Sequence, residues 1–108
     1  MSVNKAILLG YVGNDPEIRY PEPDKPVATV SLATNETGKN GVELTEWHRL
    51  VFWGETARIV ERYVRKGTRL YVEGKLTTRE YQDRLKITRQ RTEILVSNFE
   101  ILGRRNEN

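Results

Sequence analysis

ETARIVERYVRKG, residues 55–67, is where the apolar rhythm of this chain changes. Ala57, Val60 and Val64 fall at i, i+3 and i+7 with Tyr63 alongside, the spacing of one helix face. Gly54 can begin the helix, and Glu55 suits its positive end. Arg65 and Lys66 suit the other end, and Gly67 is a stop signal. The spacing predicts a helix over 55–67. A single helix set among extended segments leaves few architectures open.

The remaining apolar stretches read as strands. NKAILLGYV (4–12) is a short apolar run closed by Gly13. Residues 14–26, NDPEIRYPEPDKP, hold all four prolines and are expected to form a loop, since proline lacks a ladder donor. VATVSLATN (27–35) is rich in β-branched residues, with Ala28, Val30 and Leu32 on its core face. TGKNG (37–41) is a turn, and ELTEWHRLVFWG is a long strand. Past the helix, residues 68–81 return to strand, with Leu70 and Val72 facing one way and Arg69, Tyr71 and Glu73 the other. Gly74 permits a bend or bulge. QDRLKI is a hairpin tip, residues 92–103 form the last strand, and 104–108 are a polar, mobile end.

Three strands, a helix and two long strands fit an all-β protein with one helix. The expected fold is the OB-fold, a five-stranded Greek-key barrel with its helix between strands 3 and 4. An SH3-like barrel is the nearest rival, but it does not usually carry a full helix there. The 108 residues suit one domain, set at 1–103. No apolar run reaches the roughly 18 residues of a membrane span. MSVNKAILLG lacks the features of a signal peptide, which makes a cytoplasmic address the expectation.

Charge is uneven. Residues 1–57 carry 5 basic and 8 acidic side chains, a net −3, and residues 58–108 carry 13 against 7, a net +6. A basic half fits an anionic partner, nucleic acid first, or a solvated surface. Strand alternation puts Trp47, Arg49, Val51 and Trp53 on one face and His48, Leu50 and Phe52 on the other. A barrel this small has little room for two tryptophans, and Arg49 is costly to bury unpaired. Outward aromatics between cations suit single-stranded nucleic acid, because bases stack on rings while cations track phosphates. The pattern also admits tryptophans in the core or at a subunit interface.

Five motifs, in order, resemble the bacterial single-stranded DNA-binding protein family. NKAILLGYVGNDPEIRY resembles its opening strand and G-x-DPE-x-RY loop, and VATVSLATNE its second strand. TEWHRLVFWG is similar to TEWHR-x-x-x-x-G, and YVRKGTRLYVEGKLTTREY to Y-x-x-KG-x-x-x-YVEG-x-L-x-TR-x-W/Y. TEI and NFEILG match the last strand. The resemblance runs from residue 3 to about 104. It implies sequence-tolerant binding of single-stranded DNA in replication, recombination and repair, within a bacterial, nucleoid-associated homotetramer. It places Trp47, Trp53 and Tyr81 on stacking positions and Arg49, Lys66 and Arg79 on basic positions along the DNA path. His48 falls on a position of subunit contact. Arg84 and Lys86, with Arg89 and Arg91, make the 84–91 hairpin a basic arm, or simply a solvated one.

Departures from the family pattern are specific. Gly38 replaces a stacking Trp of some members, Glu55 and Glu80 replace frequent lysines, and Thr77 a frequent arginine. Lys86 stands where the hairpin often has Gly. Members usually continue into a flexible segment with an acidic, aromatic tip that recruits replication and repair enzymes. This sequence stops at RRNEN, so such partners are expected only if a tail follows residue 108.

Catalysis is not expected, nor is any cofactor or metal. His48 is the only histidine and there is no cysteine. GYVG and GKNG lack the Lys-Ser/Thr ending of a phosphate loop. The carboxylates of DPE at 15–17 suit turn chemistry better than acid–base work. Two further classes stay open: an OB-fold that binds only protein, including a tail-less primosomal relative, and an RNA binder using the same stacking platform.

Overall fold

The computed structural model of the chain describes residues 1–104. Four strands come first: β1 (Ala6–Val12), β2 (Glu17–Glu22), β3 (Lys25–Thr37) and β4 (Glu43–Trp53). Helix α1 (Glu55–Tyr63) follows, then β5 (Thr68–Gln82) and β6 (Thr88–Arg104). The sheet order is β1-β5-β6-β4-β3-β2, and β1 also pairs with β3. That extra pairing, Tyr11↔Ala33 and Val12↔Leu32, closes β1, β5, β6, β4 and β3 into a barrel. β4 and β6 run parallel through Leu50↔Ile94 and Val51↔Leu95. The other paired strands are antiparallel. This is the OB-fold barrel expected, with its helix between the third and fourth barrel strands, β4 and β5.

Alternation fills the interior. Ala28, Val30, Leu32, Leu50, Phe52, Leu70 and Val72 all point inward and are buried. Phe52 meets the edge of Phe99 with ring centroids 5.2 Å apart and planes at 78°, a favoured T-shaped contact. Ala57 and Val60 of α1 are buried with them, and the helix packs against β3 and β4. Gly54, just before the helix, donates its N–H to the Pro26 carbonyl at 2.9 Å, tying the helix start to β3. The β5–β6 ladder slips one register at Gly74, which leaves Ser97 of β6 as the extra residue. A Cβ at Gly74 would stand 2.3 Å from the Leu95 carbonyl oxygen, so only glycine lets β5 and β6 approach this closely.

Three stretches differ from the sequence expectation. Residues 14–26 are not all loop, because Glu17–Glu22 form β2. Ile18 sits opposite Ala28 and packs on the core. β2 ends the sheet order, and Pro21 lies where its register shifts between Arg19 and Glu22. Proline is tolerated at such an edge because no further strand asks for its missing donor.

The helix is also shorter than 55–67. Val64 turns extended, with φ −95° and ψ 132°, while its N–H still reaches the Val60 carbonyl. That turn drops the Val64 side chain into the core. Arg65 then covers the carbonyls of Glu61 and Val64 at 2.8 and 2.7 Å, capping the helix with a cation. Tyr63 stays exposed instead of joining the buried stripe.

β6 begins at Thr88 and not at 92, so β5 and β6 extend as a two-stranded arm to the pair Gln82↔Thr88. Its polar alternation hides the strand, because neither face of the arm is buried. Of the polar end read at 104–108, Arg104 belongs to β6 and 105–108 lie outside the described residues.

Candidate nucleic-acid interface

The outer face of β4 is built by alternation alone. Trp47 is 59% exposed and Trp53 51%, while their neighbours Leu50 and Phe52 are sealed. The tryptophans are therefore not core residues. Trp47 lies opposite Ala33 on β3, and its ring rests on Gly13: a Cβ at Gly13 would come within 2.4 Å of the ring carbon Cζ3. Tyr11 and Lys66 line the same hollow. The Lys66 N–H donates to the Asp15 carboxylate at 2.8 Å, fastening the Lys66 turn to the loop between β1 and β2. Asp15 of the DPE triplet thus ties its loop to a segment 51 positions away.

A second groove, of about 170 Å³, lies towards the other end of β4, with Arg19, Arg49, Arg79 and Trp53 in its walls. Glu93 of β6 forms its base. Arg49 donates from Nε to Glu93 Oε2 at 2.8 Å, and Arg79 Nε stands 3.5 Å from Oε1. Glu93 is only 4% exposed. Sequence reasoning singles out neither Glu93 nor Arg19. A signal for Glu93 exists, since it is an acid directly before the apolar run Ile94–Val96 and just after a series of cations. Arg19 falls in the proline-rich stretch that reads as a loop and is in fact β2.

The basic arm carries the remaining candidates. Tyr81 is partly exposed, and the Arg91 guanidinium lies over its ring at 4.5 Å from the centroid, a cation–π contact. The tip closes with Lys86 in the left-handed region, φ +62°, a conformation that glycine takes without strain. Asp83 holds that turn: its Oδ1 accepts the N–H groups of Leu85 and Ile87 at 2.9 and 3.0 Å, and Oδ2 takes Arg89 Nε at 2.8 Å. The Arg89 guanidinium first, then these backbone donors, hold the Asp83 carboxyl below its usual range. Arg84 and Lys86 stand on the tip, past the last ladder pair.

The structure therefore brings Arg49, Arg79 and Trp53 together, and separately Trp47 and Lys66. It leaves Tyr81, Arg84 and Lys86 along the arm. His48 faces away from Arg49, with its Nε2 2.8 Å from Thr34 Oγ1.

The chain as a whole is similar to known proteins. Residues 3–102 match the model of the single-strand binding protein family. The chain is 46% identical to the single-stranded DNA-binding protein of Bacteroides thetaiotaomicron, over 100% of this chain and 71% of that protein. It is 43% identical to single-stranded DNA-binding protein 1 of Xylella fastidiosa, over 99% and 82% respectively. Among solved structures, it superposes on the Plasmodium falciparum SSB in complex with ssDNA. The TM-score is 0.84, with 37% identity over 94% of this chain and 96% of that one. Motif order, barrel topology and these likenesses agree, and the chain belongs to the single-strand binding protein family.

Proposed function

We propose that this protein binds and shields single-stranded DNA with little sequence preference, in replication, recombination and repair, and acts by binding and not by catalysis. The observation that carries this reading is the pair of half-exposed tryptophans on one strand face, with an arginine groove beside Trp53. Every base has a π-face, so stacking is tolerant of sequence, at about 1–3 kcal/mol per base. In this reading Trp47, Trp53 and Tyr81 stack bases. Arg49, Lys66 and Arg79 neutralise phosphates, with Arg84 and Lys86 of the arm assisting. Relatives named for single-stranded DNA binding and a neighbour solved with ssDNA support it.

Titration with oligo-dT tests the proposal. Both tryptophans report on the same face, so their fluorescence should quench on binding. Affinity should fall with salt at a slope near −0.7 per phosphate contacted. Unchanged emission at saturating oligo-dT would defeat it. A parallel titration with oligo-U reports any preference between DNA and RNA.

The working form is a homotetramer, with His48 near a subunit contact and the assembly in the bacterial cytoplasm at the nucleoid. Ile7 and Leu9 of β1 and Ile101 and Leu102 of β6 leave apolar surface exposed on a single chain, which favours assembly. Light scattering should return four times the chain mass, and a monomer at micromolar concentration would reject the assembly. No helix among the described residues is long and apolar enough to cross a membrane.

A further inference from the structure

We infer that Glu93 is a positioning residue for DNA: it holds Arg49 and Arg79 in one groove so that both forks present phosphate donors beside Trp53. The inference rests on the DNA-binding reading above and adds an acid to a site where charge alone would exclude one.

Glu93 is the one charged residue that is buried among the described residues. A carboxylate withdrawn from water is stable only when paired and hydrogen-bonded. Here each oxygen takes a different arginine, Oε2 from Arg49 on β4 and Oε1 from Arg79 on β5. Both guanidiniums meet it through Nε. The hydrogen bond fixes the stem and plane of the Arg49 fork, and the looser ion pair at 3.5 Å draws Arg79 to the same groove. The terminal nitrogens remain the donors that suit a phosphate.

The register gives a second reason. Arg79 lies directly opposite Arg91 across the β5–β6 ladder, and like charges so placed repel. Glu93 draws Arg79 into the groove, and Tyr81 draws Arg91 onto its own ring. Among the described residues, Glu93 is the only acid that pairs with Arg79. A groove whose arginines are already held has less side-chain freedom to lose when DNA arrives.

Charge counting and positioning give opposite signs, which makes the test sharp. Glu93→Gln keeps the shape but offers one acceptor oxygen for two arginines. Binding of oligo-dT should weaken on the order of ten-fold, the worth of one charge-assisted hydrogen bond. The salt slope should become shallower by about 0.7 for each phosphate that is no longer neutralised. If Glu93 were merely a negative charge near the DNA path, its removal would tighten binding and steepen the slope. In a background of Arg49→Gln and Arg79→Gln, adding Glu93→Gln should no longer weaken binding. Persistence of the weakening there would overturn the inference.

Arg79→Lys is the second arm, and it decides the matter if Glu93→Gln fails to fold. Arg79 is 60% exposed, so the exchange spares the core. Lysine keeps the charge but cannot hold Glu93 with one nitrogen and a phosphate with others. Weaker binding at an unchanged thermal midpoint is expected, and wild-type affinity would overturn the inference. Wild-type protein that fails to bind oligo-dT at all defeats the functional reading itself. Wild-type binding with an unimpaired Glu93→Gln defeats only the role of Glu93.

Discussion

Phe52→Ala should destabilise the barrel by about 3–5 kcal/mol, the usual cost of emptying a buried aromatic site. The thermal midpoint should drop by roughly 15 °C or more for a domain of this size. Phe52 is 0% exposed and lies under the β4 ladder with its ring against Phe99, so its neighbours have little room to collapse into the gap. Denaturant melts of the variant and the parent give the difference directly. Binding of oligo-dT by the fraction still folded should stay close to wild type, because Phe52 faces away from Trp53. A midpoint that hardly moves would mean the β4 inner face does not anchor the core.

Trp53→Ala, one residue on, should do the reverse. Binding should weaken by about 1–3 kcal/mol, the contribution of one base stacked on an aromatic ring. The melting midpoint should barely shift, because half of the Trp53 ring already faces water. The two substitutions separate the two faces of one strand, and their effects should cross: large on stability and small on binding for Phe52, the opposite for Trp53. A variant of Trp53 that melts early while binding normally would return the tryptophan to a structural role.

The parts of this fold that are legible in the sequence share one cause. Where one face of an element is buried and the other wet, the pattern repeats every two residues, or every three to four in a helix. Val30 and Leu32, Leu50 and Phe52, and Leu70 and Val72 all follow it, and the outward pair Trp47 and Trp53 follows from the same count. The parts that escape a sequence reading lack that contrast. β2 is an edge strand punctuated by prolines, so its composition speaks of a loop although its pairing is real. The outer reaches of β5 and β6 are solvated on both faces, so no apolar residue marks them. The end of α1 depends on Val64, whose spacing fits a helix but whose backbone turns extended to reach the same core.

The site is legible residue by residue but not as an assembly. Arg49, Arg79 and Trp53 each stand out, yet what joins them is Glu93, 44 positions from Arg49 and brought beside it by barrel closure. Strand alternation within one segment cannot report a pairing of that range. Arg19 is hidden for the same reason, since its place in the groove wall comes from the pairing of β2 with β3.

The parallel meeting of β4 and β6 through Leu50↔Ile94 and Val51↔Leu95 is a short zip, and the Arg49–Glu93 pair straddles it. In the proposed reading, DNA over Trp53, Arg49 and Arg79 would touch β4 on one side of that zip and, through β5, the strand paired with β6 on the other. A ligand that fastens only to the intact form adds about 2.7 kcal/mol of protection at a hundred times its dissociation constant. On that reading the bound protein should resist proteases longer than the free one.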